Sequence, residues 1–118
     1  MRYISLFTHE PRTSQPTQDE MAAMGRLIEE GLTKGWLIVT EGVQGGTKAI
    51  RVQARAGKMH VTDAPFAEAK EVIGGYAILR ANSNEEVIEL TKHFLKVAGG
   101  NGTCEIHELY EMPAGTKT

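Results

Sequence analysis

The chain has little of what marks several functional classes. Cys104 is its one cysteine in 118 residues. An internal disulfide framework is therefore excluded, and a reducing compartment fits. Neither sign of charge dominates: 13 Lys and Arg face 15 Asp and Glu, a net charge of −2, with both signs interspersed. No basic stripe is present, so nucleic acid is not an expected partner. No apolar run approaches the roughly 20 residues of a membrane helix. The apolar run within Met1–His9 is too short for a signal peptide, and charge resumes at Glu10. The expected location is the cytoplasm. There is no internal repeat and no low-complexity segment. Gly42-Val43-Gln44-Gly45-Gly46 lacks the spacing of a phosphate-binding loop and precedes no helix. None of the four histidines shows metal-ligand spacing. No metal and no organic cofactor is expected.

What is present describes one soluble-type domain. A hydrophobic content of 41% and a charged content of 24% are ordinary, and this length buries enough surface for a core without staples. Residues 2–8 read as a strand. Thr17-Gln18-Asp19-Glu20 is a capping box. The helix it opens places Met21, Met24, Ile28 and Leu32 on one face, widened by Leu27, and Gly35 suits its left-handed end. Residues 36–40 form a second strand. Residues 50–54 and 58–62 form a hairpin around Ala56-Gly57, and 73–80 another strand. Ser83-Asn84-Glu85-Glu86 is a second capping box, opening a helix with Val87, Leu90, Phe94 and Val97 on one face. Gly99-Gly100 ends it, and residues 103–111 form the last strand.

The order is βα, a run of strands, then αβ. Two helices cannot cover both faces of such a sheet, so an α+β sandwich with both helices on one face is expected. Strand 2–8 sets Ile4 and Leu6 against Tyr3 and Phe7, and strand 73–80 sets Ala77 and Leu79 against Tyr76 and Ile78. Apolar groups on both sides imply two buried faces. A second copy of the chain is the natural cover, and a homodimer through the sheet face is expected. In the plainer alternative, Tyr3, Phe7 and Tyr76 fringe a half-exposed sheet.

Residues 62–76, TDAPFAEAKEVIGGY, concentrate the ionisable groups. Asp63, Glu68, Lys70 and Glu71 sit on a Pro-stiffened connector between two strands expected to neighbour each other, where small folds place chemistry. Asp63 is the leading candidate for a functional carboxylate directed at a cavity; otherwise it closes an Asx turn. Glu68 and Lys70 are candidate ligand contacts, or pair with neighbouring charges. Phe66 anchors the connector to the core. Tyr76 donates to a ligand or packs at the dimer interface. Gly74-Gly75 marks a bulge or a close backbone approach. His9, just past the first strand, is a candidate general base if it meets Asp63, or else a loop histidine. His60 and His107 line either an interior or solvent, and His93 is surface. Arg51 and Arg55 bind an anion or form a polar edge. Cys104 reads as a buried structural thiol.

Val61 to Tyr76 resembles the core of the YCII-related family, in the branch named for an Asp-Gly-Pro-Phe motif. Glu41-Gly42, Gly57-Lys58 and the closing residues 100–106 and 109–111 are similar to the family as well. The resemblance spans residues 1–112 as one domain, with 113–118 a polar tail. It implies a ferredoxin-like α+β sandwich that pairs as a dimeric α/β barrel, and a His–Asp dyad in which His9 would meet Asp63. Related architectures include isomerases, monooxygenases and dehalogenating enzymes, and members of this branch resemble neighbours of extracytoplasmic-function sigma factors. Ala64 replaces the family's glycine. The residue before Pro65 is pushed to extended backbone, which alanine accepts, so Ala64 is expected unstrained. Ala69 replaces a commoner threonine.

Two functions are expected from this reading. One is a cofactor-free lyase or isomerase working by proton transfer, with Asp63 and His9 as acid and base and Lys70 or Tyr76 steadying negative charge. The other is a non-catalytic metabolite-binding or regulatory module using the same pocket. A purely structural dimer leaves the ionisable connector unexplained.

Overall fold

The computed structural model describes residues 1–11, 15–44, 48–63 and 72–111. In chain order they form β1 (Arg2–His9), α1 (Gln18–Lys34), β2 (Leu37–Gly42), β3 (Ile50–Arg55), β4 (Lys58–Asp63), β5 (Val72–Arg80), α2 (Asn84–Ala98) and β6 (Gly102–Glu108).

Local chemistry sets the helix ends. The Thr17 hydroxyl accepts from the Glu20 N–H at 3.1 Å, and the Glu20 carboxylate accepts from the Thr17 N–H at 2.9 Å. This reciprocal cap satisfies two otherwise orphaned donors. At the far end Gly35 is left-handed, φ 86°, and donates to the Gly31 carbonyl. Ser83 caps α2 by accepting from the Glu86 N–H at 3.2 Å. The buried side of α1 differs from the expected stripe. Met21 and Leu32 are over half exposed, whereas Leu27 and Gly31 are buried. The helix is turned so that Gly31 meets β2: a Cβ there would lie 2.8 Å from both Leu37 Cβ and the Trp36 ring. Glycine lets the two backbones approach.

The main sheet has the order β2-β5-β1-β6, and every neighbouring pair is antiparallel. This is the ferredoxin-like arrangement, α+β with a split βαβ crossover at each end. Cross-strand registers run through all four strands. Leu37–Leu79–Tyr3–Glu108 and Thr40–Ala77–Ser5–Ile106 are two such rows. Glu41–Tyr76–Leu6–Glu105 and Val39–Ile78–Ile4–His107 alternate with them on the opposite side. Tyr3, Leu37, Leu79, Ala81 and Val87 form the core, with Ile28, Trp36, Ala77 and Ile106 packed on it. Phe7 stands edge-on to Phe94, centroids 5.1 Å apart at 89°. Tyr3 and Phe7 thus face the helices, while Tyr76 keeps company with Ile4, Leu6 and Ile78 on the open side.

The glycine pair interrupts the ladder as expected. The β1–β5 register slips between Phe7 and Thr8, opposite Gly74. A Cβ on Gly75 would lie 2.6 Å from the Glu41 carbonyl oxygen. No neighbour would yield there, because the obstructing atom is backbone.

The hairpin forms in register, Arg55 opposite Lys58, and turns through Ala56 (φ 50°) and Gly57 (φ 79°), as a primed two-residue turn requires. Its place differs from expectation. β3 and β4 pair only with each other, so the connector after Asp63 does not join neighbouring strands: β5 lies between β1 and β2. The ribbon is an insertion between two adjacent strands of the main sheet. No helix among the described residues is long and apolar enough to cross a membrane.

Candidate functional site

A chamber of about 260 Å³ lies between the sheet and the two helices. Phe7, Leu37 and Leu79 floor it, Met24 and Leu27 come from α1, Leu90 and Phe94 from α2, and Trp36 stands at the start of β2. Its lining extends to Glu41 and Gly42, which are exposed. One end of the chamber therefore reaches the surface at the end of β2.

The few polar groups in the lining already have partners. Thr40 Oγ1 donates to the Tyr76 carbonyl at 3.0 Å, and Thr91 Oγ1 donates to the Val87 carbonyl at 2.8 Å. The Ser5 hydroxyl bonds the Cys104 thiol; burial pushes that thiol's pKa up, and the Ser5 bond partly offsets it. The Tyr76 hydroxyl donates to Glu41 Oε1. This bond raises the phenol's pKa above its ordinary value, with burial and the Glu41 charge adding to it. The interior is accordingly apolar, and the Glu41 and Tyr76 side chains pair with each other on the open side of the sheet.

Among the described residues, Tyr76 is the one expected site residue in the chamber lining. His9 ends β1, opposite Val72 and Gly102. Its Nδ1 lies 2.7 Å from the Glu10 carbonyl, so in the neutral ring that nitrogen carries the proton and donates. The ring rests against Phe7, centroids 5.5 Å apart. Asp63 ends β4, opposite Ile50; it is exposed and does not line the chamber. Among the described residues, no hydrogen bond or ion pair joins His9 to Asp63. Glu68 and Lys70, with Ala64, Phe66, Ala69 and Glu71, lie outside the described residues.

His60 is exposed on β4 opposite Gln53, and His93 is exposed on α2. His107 Nε2 lies 2.6 Å from Glu105 Oε1 on the exposed side of β6. Among the described residues no cluster of three His, Cys, Asp or Glu is placed to hold a metal.

The residues sequence reading passed over are those of the chamber wall. Met24, Leu90 and Phe94 were placed on apolar helix faces, and such a stripe looks the same whether it closes on the sheet or stops short of it.

No curated relative matches the chain. The family model for the YCII-related domain matches residues 1–113, taking in every strand and both helices that build the chamber, together with the ribbon. The fold and this match lead to one statement of identity: the chain belongs to the YCII-related family.

Proposed function

We propose that the chain is a small-molecule pocket protein that holds a compact, mostly apolar ligand in the chamber between helices and sheet, and that it works as a homodimer joined through the open sheet face. The chamber carries this reading. Its volume, about 260 Å³, exceeds the roughly 150 Å³ that admits benzene and falls just below the roughly 300 Å³ at which ordinary ligand pockets begin. One ring with a short substituent fits. Binding there draws on apolar burial, about 25 cal/mol per Å². The end of β2, at Glu41 and Gly42, is where the polar end of such a ligand would emerge. The open face, with Leu6 and Val39 each 38% exposed, is the apolar surface a second copy covers.

A binding role, as metabolite sensor or regulatory module, suits this chamber better than proton transfer. A general base needs hydrogen-bond reach of the proton it moves. The one carboxylate in the described lining, Glu41, is engaged by Tyr76. The second reading is a cofactor-free lyase or isomerase with Asp63 and His9 as acid and base and Glu68 and Lys70 as ligand contacts. What favours it is position. His9 pairs with Val72, nine positions after Asp63 in the chain. A role in sigma-factor signalling would use the same pocket as a sensor. The lone thiol suits the cytoplasm for either.

A thermal-shift screen with small aromatic and aliphatic carboxylates tests both readings. Wild type, Leu90→Phe and Asp63→Asn are compared, each first checked for folding by circular dichroism. Hits lost in Leu90→Phe and kept in Asp63→Asn support the chamber. Hits lost only in Asp63→Asn transfer the site to the connector. Equal hits in all three variants would remove both assignments.

A further inference from the structure

We infer that Phe7 sets the size of the ligand the chamber admits, and that Gly74 and Gly102 are the positioning residues that keep its ring clear of the space a ligand would fill. The inference rests on the pocket reading proposed above and deepens it. It names a specificity-determining residue and commits the ligand to a single six-membered ring.

Phe7 belongs to the chamber lining, as do Gly74 and Phe94. Its strand, β1, lies between β5 and β6. The Phe7 ring reaches over both neighbours. A Cβ on Gly74 would lie 2.7 Å from Phe7 Cδ2 and 2.9 Å from Cε2. A Cβ on Gly102 would lie 2.6 Å from Cε1 and 3.2 Å from Cζ. Opposite edges of one ring thus overlie two glycines, one on each adjacent strand. Contacts under 3.0 Å are closer than a Cβ can stand, so any side chain at either position displaces the ring. Neither glycine has a positive φ, so the backbone conformation does not call for glycine at these two places. The ring does.

The direction of that displacement is fixed by what surrounds the ring. The sheet lies beneath it. The His9 ring stands beside it, centroids 5.5 Å apart. Phe94 lies across it towards α2, at 5.1 Å and 89°. A ring pushed off the two glycines therefore rises towards Phe94, into the chamber. Leu37 and Leu79, also in the floor, are buried members of the core. Phe7 is only half-buried, so exchanging it alters the chamber more than the core. At about 260 Å³ the space exceeds the roughly 150 Å³ that holds benzene. A second fused ring would need the place Phe7 occupies.

The test is a chemical-shift titration of the Trp36 indole N–H with two probes, benzyl alcohol and 2-naphthylmethanol. Trp36 is the one tryptophan of the chain and lines the chamber, so this resonance reports binding at this site. The variants are Phe7→Leu, Gly102→Ala, Gly74→Ala and Gly102→Ala/Phe7→Leu, each checked for folding by far-ultraviolet circular dichroism. The two glycine variants reach the ring from opposite edges, so either one carries the test if the other does not fold. Wild type is expected to bind benzyl alcohol at least about tenfold more tightly than 2-naphthylmethanol, and Phe7→Leu to bring the two within about twofold. Gly102→Ala and Gly74→Ala are expected to weaken benzyl alcohol binding about tenfold, and the double variant to recover it to within about threefold of Phe7→Leu. Undiminished discrimination in Phe7→Leu overturns Phe7 as the size determinant and leaves the chamber standing. A double variant as weak as Gly102→Ala shows that the loss does not act through the ring, and overturns the glycine seat. Glycine variants that bind like wild type overturn it as well. If neither probe moves the Trp36 resonance in wild type, the pocket reading itself falls, and this inference with it.

Discussion

The Tyr3 hydroxyl donates a 2.9 Å hydrogen bond to Asn84 Oδ1, tying the start of β1 to the first residue of α2 across 81 positions of sequence. The Tyr3 ring is 2% exposed, in the centre of the core, while Asn84 faces solvent. Burial, then the nearby carboxylates of Glu108, Glu85 and Glu86, push the phenol's pKa upward. Tyr3→Phe keeps the packing and removes the bond, and Asn84 regains water. The expected loss is about one net hydrogen bond, a fall in Tm of about 3–6 °C, read by differential scanning calorimetry at neutral pH. No change in Tm would mean the bond does not contribute.

Gly31→Ala sets two effects against each other. Helix propensity favours alanine by about 1 kcal/mol. The new methyl, however, would lie 2.8 Å from Leu37 Cβ and the Trp36 ring. The ring can swing aside, but Leu37 Cβ moves only with its strand. Overpacking of this kind costs about 1–3 kcal/mol and wins. Urea denaturation is expected to show a net loss of about 1 kcal/mol, and ligand binding in the chamber weakens because Trp36 is displaced into it. A gain in stability would contradict the close approach of α1 and β2.

The Tyr76–Glu41 bond makes stability depend on alkaline pH. The phenol's folded pKa is raised, so the folded state holds this proton more tightly than the unfolded chain does. The stabilisation is therefore present below the unfolded value, about 10, and lost as pH rises through the higher folded value. In Tyr76→Phe the urea midpoint is expected to be lower near neutrality and to fall less between pH 9 and pH 11 or so. Titration of tyrosinate absorbance gives the parallel result: the variant lacks one late-titrating phenol.

Cys104 is half-buried on β6, and burial raises its pKa. Less thiolate at a given pH means slower alkylation. The Ser5 bond opposes this shift, so Ser5→Ala raises the pKa further. Alkylation by iodoacetamide at pH 8 is expected to slow in the variant, with its pH–rate profile moved to higher pH. Faster alkylation at unchanged stability would mean that access, not ionisation, sets the rate.

Much of the fold was legible because local chemistry specifies it. Thr17, Glu20 and Gly35 mark the ends of α1, and Ala56-Gly57 marks the hairpin, each through bonds or φ values confined to a few residues. Alternation in β1 and β5 separated the two faces correctly. It did not say which face meets the helices, since Tyr3 and Phe7 are as apolar as Ile4 and Leu6. In α1 the inward placing of Met24, Leu27 and Ile28 held, but Met21 and Leu32 are exposed and Gly31, which carries no hydrophobic signal, is where the helix packs closely on β2. The ribbon's separation from the main sheet was hidden for a related reason: β3 and β4 alternate like any strands, and their partners are chosen in three dimensions. The chamber is a gap between layers, which no single residue encodes. As for the site, Tyr76 was found at its border, His9 and Asp63 stand apart, and Glu68 and Lys70 fall outside the described residues.

The chain leaves β2 at Gly42 and re-enters β5 beside it, since Gly42 and Gly75 are cross-strand neighbours. Residues 43–71 are thus a detour whose two ends already touch. Closing such a loop costs only about 0.6 kcal/mol for each doubling of its length, so the scaffold tolerates this excursion at little thermodynamic expense. The detour is accordingly the natural place for relatives to diverge: it can be lengthened, shortened or rewritten while the four-stranded platform beneath is inherited unchanged.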